Sequence, residues 1–192
     1  MITIANSGGA NLKSIEFALK RLDISYTFAN SGTDLTSAEK IILPGVGSAK
    51  NAMRILEENG SAEVLRSTKV PVLGICLGMQ LLFESSEEGD VECLGVVPGR
   101  VTKIIDVGLP IPHMGWNKLI VSNSSEMDSF EGEYVYFVHS YKAAMGDHVK
   151  LYSEYGEKIP AFIQHDNFWG AQFHPEKSAN IGSKIIERFL KL

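Results

Sequence analysis

Cysteine is scarce in this sequence: its 192 residues include two, Cys76 and Cys93. That is too few for the disulfide framework of a small secreted domain. Nor are they spaced as metal ligands, so a reducing, cytoplasmic setting is expected. Positive charge is also short. With 18 Lys and Arg against 23 Asp and Glu, the net charge is −5. This excludes the basic footprint of a nucleic-acid binder and suits an anionic membrane surface no better. Long apolar runs are missing too. The most apolar stretch, Val70 to Phe83, is broken by Gly74, Gly78 and Gln80 and is too short to span a bilayer. The opening Met1-Ile2-Thr3-Ile4-Ala5 lacks the charged leader and long apolar core of a signal peptide. No repeat, low-complexity segment or polar linker divides the chain, so residues 1–192 are expected to form a single domain. With 44% hydrophobic and 21% charged residues, a chain of this length can bury roughly 70% of its unfolded surface without a staple or a metal.

What is present alternates. Ile2–Ala5 suits a short strand. Asn11–Leu22 puts Leu12, Ile15, Leu19 and Leu22 on one helical face. Ser25–Phe28 and Ile41–Leu43 suit the next strands, and Ser48–Asn59 a helix with Ala49, Ala52, Met53 and Leu56 on one face and Gly60 as its stop. Val70–Ile75 is a continuous apolar run of the kind that forms a central parallel strand, and a helix is expected from about Leu77. The second half is richer in strands, at Val101–Ile105, Lys118–Val121, Tyr134–Val138, Ala161–Gln164 and Phe168–Phe173. A closing helix from about Ser178 aligns Ile181, Ile185 and Phe189. The expected fold class is α/β: an open, mostly parallel sheet with helices on both faces and an added antiparallel portion. Such sheets bind ligands beyond the carboxyl ends of their strands.

Three segments at those ends carry chemistry. Gly74-Ile75-Cys76-Leu77-Gly78 has the glycine-flanked pattern of a nucleophile elbow, with Cys in place of Ser. The glycines relieve crowding at a sharp, strained turn, and helix N–H groups aimed at the sulfur favour the thiolate. The plainer alternative, a buried core thiol, is preferred for Cys93. His174-Pro175-Glu176 follows the last expected strand. A thiolate wants an imidazole partner, and the imidazole wants an orienting group. In an extended segment Glu176 would face the same side as His174. Pro44-Gly45-Val46-Gly47 offers closely approaching backbone N–H groups for an oxyanion, beside the amide of Leu77. Its glycines also make the loop easy to reorganise. A phosphate loop or a plain turn are the alternatives there, and the third glycine and the lysine of a nucleotide loop are missing. Of the other histidines, His148 and His165 are expected to face solvent, His113 to lie in a loop beside Pro112, and His139 to end a strand where it could line a pocket. No pair has helical metal-site spacing, and no metal site is expected.

Taken together, these motifs resemble the class I glutamine amidotransferases, nearly end to end. Pro112-His113-Met114-Gly115-Trp116-Asn117, Tyr136-Phe137-Val138-His139-Ser140-Tyr141 and Ala10-Asn11-Leu12 narrow the likeness to the glutaminase subunits of imidazole glycerol phosphate synthase. The opening Asn6-Ser7-Gly8-Gly9-Ala10-Asn11 departs from the commoner Asp-Tyr-Gly-x-Gly-Asn. The resemblance implies that Cys76 is the nucleophile, His174 the acid and base and Glu176 its orienter. It implies oxyanion donors at Val46 and Leu77. Glutamine would be held by Gly47, Gln80, Glu88, Ser140 and Tyr141. Ammonia would pass to a separate barrel-fold cyclase subunit in a heterodimer, with Asn11, Trp116, Asn117 and Lys177 near that interface. No cofactor is implied, and no nucleic-acid or membrane partner. Three rivals stand beside this reading: a paralogue feeding a surface-sugar synthase, a stand-alone cysteine peptidase or chaperone, and a binding module with a dead site.

Overall fold

The computed structural model describes residues 1–8, 12–45 and 47–192, and for Leu12 the backbone. Asn11 and Val46, expected at the interface and the oxyanion site, lie outside the described residues. The first half runs β1 (Ile2–Ala5), α1 (Leu12–Arg21), β2 (Tyr26–Ala29), α2 (Gly32–Leu35), β3 (Lys40–Leu43), α3 (Ala49–Glu58), α4 (Ser61–Ser67), β4 (Val72–Ile75) and α5 (Leu77–Gln80). The second half adds β5 (Ser85–Ser86), β6 (Val91–Glu92), β7 (Arg100–Lys103), β8 (His113–Lys118), β9 (Ile120–Val121), β10 (Tyr134–His139), β11 (Tyr141–Lys142), β12 (Val149–Glu154), β13 (Lys158–His165), β14 (Phe168–Ala171) and α6 (Ala179–Leu190).

Among the described residues the main sheet has eight strands, in the order β2-β1-β3-β4-β14-β13-β12-β9. Pairing is parallel from β2 through β14 and antiparallel from β14 to β9. Side chains alternate across this sheet because successive residues of a strand point to opposite faces. Ala5, Ile41, Leu43 and Val72 pack with α3 and α4 through Ala52, Met53, Leu56 and Leu65. Ile2, Ile4, Ile42, Leu73 and Ile75 pack on the other face with Ile15 and Leu19 of α1 and Ile185 and Phe189 of α6. Both faces are therefore covered, which is why the central strands read as unbroken apolar runs.

Several elements depart from expectation. Gly60 does stop α3, yet it also starts α4, sitting at that helix's N-terminus with φ of +74°. The helix at Leu77 is a single turn. His113 is buried and opens a strand rather than lying in a loop. That strand pairs with β10 in a two-stranded ribbon outside the main sheet, and β11-β7-β5-β6 form a third sheet. Strand β12 was not evident from the pattern. His148 is buried against Phe83 and hydrogen-bonds the Ala144 carbonyl, not solvent-facing; His165 is half-buried.

The tightest backbone approach is between the β3 exit and α5. A Cβ added at Gly78 would lie 1.8 Å from the Leu43 carbonyl oxygen, and one at Gly45 would lie 2.3 Å from the Gly78 nitrogen. Backbone cannot yield as a flexible side chain can. Gly78→Ala is therefore expected to lower unfolding stability by about 1–3 kcal/mol or more, read from urea denaturation. A variant within about 0.5 kcal/mol of the parent, the range of an ordinary surface change, would contradict this packing.

Candidate active site

The register of β4 against β14 builds the site. Ile75 pairs with Ala171, so the residues just past both strands emerge side by side at their carboxyl ends. Cys76 lies in the bend out of β4. Its amide donates to the Ala171 carbonyl at 2.7 Å, and its backbone sits at φ 54°, ψ −112°. A non-glycine residue there carries strain of about 1–3 kcal/mol, as expected for an elbow. Beyond β14, the His174 amide donates to the Tyr136 carbonyl at 2.9 Å, and the Ser178 hydroxyl donates to the His174 carbonyl at 2.7 Å. The imidazole is therefore fixed from its backbone outward.

His174 is extended as expected, but Glu176 is not on a strand. Pro175–Lys177 form a 3₁₀ turn with Pro at its start. Across that turn His174 Nδ1 donates to Glu176 Oε1 at 2.8 Å, and His174 lines the same cavity as Cys76. The His174 and Glu176 side chains are 6% and 2% exposed, so water screens the contact poorly. Glu176 Oε2 is buried with no hydrogen-bond partner among the described residues. Burial alone pushes the His174 imidazole down. The hydrogen bonds and negative charge of Cys76 and Glu176 outweigh it and raise His174 to about 10. A raised imidazole stabilises the fold in full below its ordinary 6.5, and that contribution is lost as pH rises through about 10. The single turn of α5 carries little macrodipole. Its expected role beside the sulfur thus falls mainly to the imidazolium.

A cavity of about 410 Å³ opens over this group. Gly47, Cys76, Leu77, Gln80, Glu88, Ser140, Tyr141, His174 and Lys177 all line it, so most residues singled out in the sequence converge there. Their committed contacts differ. Both amide protons of Gln80 are used, on the Tyr141 carbonyl and on Gln172 Oε1, each at 2.8 Å, which leaves only its Oε1 for a ligand. Glu88 accepts from the Ala49 amide at 2.8 Å through one oxygen. Gly47 has φ of +93° with open space around it, whereas Gly45 is wedged against the elbow.

Trp116 and Asn117 lie away from the cavity lining on the β8–β10 ribbon. Trp116 is more than half exposed and meets Tyr136 edge-on; Asn117 turns its amide inward, to His113 and the Glu154 carbonyl. Lys177 lies over the Tyr136 ring. Four lining or supporting residues were not assigned from sequence: Gly45, Pro112, Val138 and Gln172. Gln172 is fully buried and points its Nε2 at the Cys76 sulfur, 3.8 Å away. Its place two residues before His174, just past the end of β14, was the available signal.

Comparison with known proteins agrees with this geometry. The family model described as glutamine amidotransferase class-I matches residues 3–192. The imidazole glycerol phosphate synthase subunit HisH of Idiomarina loihiensis is 44% identical over 191 residues, covering 100% of this chain and 97% of that protein. The HisH of Pasteurella multocida is 44% identical over 192 residues, covering 99% and 97%. Among solved structures, a glutamine amidotransferase superposes with TM-score 0.78 at 18% identity, covering 99% of this chain and 97% of that one. One from Thermotoga maritima superposes with TM-score 0.66 at 17% identity, covering 99% and 82%. The chain belongs to the class I glutamine amidotransferase family, among the relatives of the HisH subunits.

Proposed function

We propose that this chain hydrolyses glutamine at Cys76 and delivers the ammonia to a cyclase subunit of barrel fold in a cytoplasmic heterodimer. That partner makes imidazole glycerol phosphate and an aminoimidazole carboxamide ribotide for histidine biosynthesis. The observation that carries the proposal is the buried His174–Glu176 pair, whose imidazole lines one cavity with Cys76. The HisH names of the full-length relatives favour histidine biosynthesis over a surface-sugar paralogue. The two free thiols suit a reducing cytoplasm.

The chemistry follows from the positions. The Cys76 thiolate attacks the side-chain amide carbon of glutamine, forming a C–S bond and an oxyanion. The amides of Leu77 and Val46 stabilise that charge. His174, as imidazolium, gives its proton to the amide nitrogen, the C–N bond breaks, and ammonia leaves a glutamyl thioester. Neutral His174 then takes a proton from water, whose oxygen attacks the thioester; the C–S bond breaks and glutamate departs. Glu176 keeps the imidazole oriented throughout. Glutamine itself is held by Gly47, Ser140 and Tyr141, by Gln80 through its Oε1, and by the Glu88 carboxylate, which suits an α-ammonium group. The exposed Met114, Trp116 and Tyr134 of the β8–β10 ribbon, with Lys177 at the cavity rim, form an apolar face suited to the partner, and Asn117 supports it from behind.

An amidotransferase that hydrolysed freely would waste glutamine. Glutamate release by the isolated chain is therefore expected to be low and to rise with the cyclase and its nucleotide ligand by about 10²–10³, the worth of one oxyanion donor. Cys76→Ala should abolish glutamate release in every arm while the complex still makes product from ammonium salts. Full activity of the chain alone, or activity in the Cys76→Ala variant, would refute the assignment.

The triad's members should not be equal. The His174→Ala variant loses the proton carrier, whereas Glu176→Gln loses only the orienting charge. In serine triads the orienter is worth about 10⁴, and a thiolate depends less on its base, so Glu176→Gln should cost less than that and less than His174→Ala. Equal losses in kcat/KM would show that Glu176 does more than orient.

A further inference from the structure

Two buried histidines take no part in this chemistry: His139 lines the cavity, as its place at a strand end allowed, and His113 packs against it from outside the lining. His113 opens β8 and His139 closes β10, and they are register partners in the ribbon. The His139 Nδ1 lies 2.7 Å from the Tyr141 carbonyl. A carbonyl only accepts, so the proton is on Nδ1. Burial drives His139 down to about 3 and His113 to about 4, so both rings are neutral. His139 Nε2 is then a bare acceptor, and His113 Nδ1, 3.0 Å away, donates to it. That leaves His113 Nε2 to accept from Asn117 Nδ2 at 3.2 Å. The Asn117 amide cannot be turned round. Its nitrogen also donates to the Glu154 carbonyl at 3.0 Å, and its oxygen accepts from the Lys118 amide at 2.7 Å. The His113 ring is clamped between Phe137 and Tyr155, with centroids at 4.7 and 4.0 Å.

The chain of donors therefore runs one way and ends on a carbonyl in the cavity wall. The second donor to that carbonyl is Gln80, whose amide continues to Gln172 and so to the nucleophile. We infer that His113 and His139 are positioning residues for the glutamine pocket, tethering the Tyr141 carbonyl through the sequence Asn117 to His113 to His139. The inference rests on the glutaminase reading of the cavity. Removing the tether leaves a part-buried carbonyl with one donor instead of two and frees the Ser140–Tyr141 wall. Substrate binding should suffer before the chemistry at Cys76 does.

The test has two arms. In the first, steady-state glutamine hydrolysis is measured for the complex with the cyclase. His139→Phe keeps a ring but removes both nitrogens, and should raise KM for glutamine about tenfold with kcat within about threefold. The His139→Asn variant can restore an N–H near the Nδ1 position and should recover most of that loss. A fall in kcat with KM unchanged, or equal defects in the two variants, would overturn the inference. The second arm needs no variant. Nitrogen NMR of the wild-type chain with labelled imidazoles should find both histidines in the Nδ1–H tautomer. An Nε2–H tautomer at either would break the chain and overturn the inference, whatever the kinetics. If the wild-type complex releases no glutamate, the glutaminase reading fails by itself, and the inferred role in holding glutamine falls with it.

Discussion

Everything at the candidate site depends on one contest within a buried imidazole. Desolvation favours neutral His174, while Cys76 on one side and Glu176 on the other favour the cation, and the two partners prevail. Charges that would be screened at the surface decide the matter here because both His174 and Glu176 are sealed from water. The outcome is a proton donor poised beside the nucleophile's sulfur. Little else in the fold could supply this, since α5 offers the sulfur only one turn of helix.

The sheet exists, in functional terms, to hold that contact. Parallel pairing of β4 with β14 sets the elbow next to His174. The glycines permit it by letting the β3 exit, the elbow and α5 pack backbone to backbone. The antiparallel extension and the β8–β10 ribbon then wall the cavity. Tyr136 receives the His174 amide on one edge of the ribbon, and His139 holds Tyr141 at its end. The wall and the reacting groups are thus one connected hydrogen-bonded body.

Much of this was legible in the sequence because buried parallel strands and amphipathic helices leave strong periodic signals. The strand–elbow–helix order around Cys76 and the placement of His174 after the last central strand could be read in advance from such signals, whereas Gln80, Glu88, Ser140 and Tyr141 were implied only by the family resemblance. What could not be read was set by tertiary context. β8 shows Met114 and Trp116 to the outside and turns His113 and Asn117 inward, so its alternation is inverted relative to that of an ordinary half-buried strand. The 3₁₀ turn at Pro175 brings Glu176 to His174 by a different route from the extended one that i, i+2 geometry suggested. The single-turn α5 gave no boundary signal. Burial of His148, His113 and His139 follows from ring stacking and carbonyl partners distant in sequence, and a lone polar residue does not announce these. Gln172 lay in plain view within its motif, but its task depends on Gln80 across the sheet.

The central claim is that His174 is held as a cation by Cys76 and Glu176 against the pull of burial. Its most direct test is an NMR titration of the His174 imidazole in the wild-type chain and in Cys76→Ala. The account predicts a wild-type midpoint raised to about 10 and a marked fall once the sulfur is removed. A wild-type midpoint at or below the ordinary 6.5, or one unmoved by loss of Cys76, would contradict it.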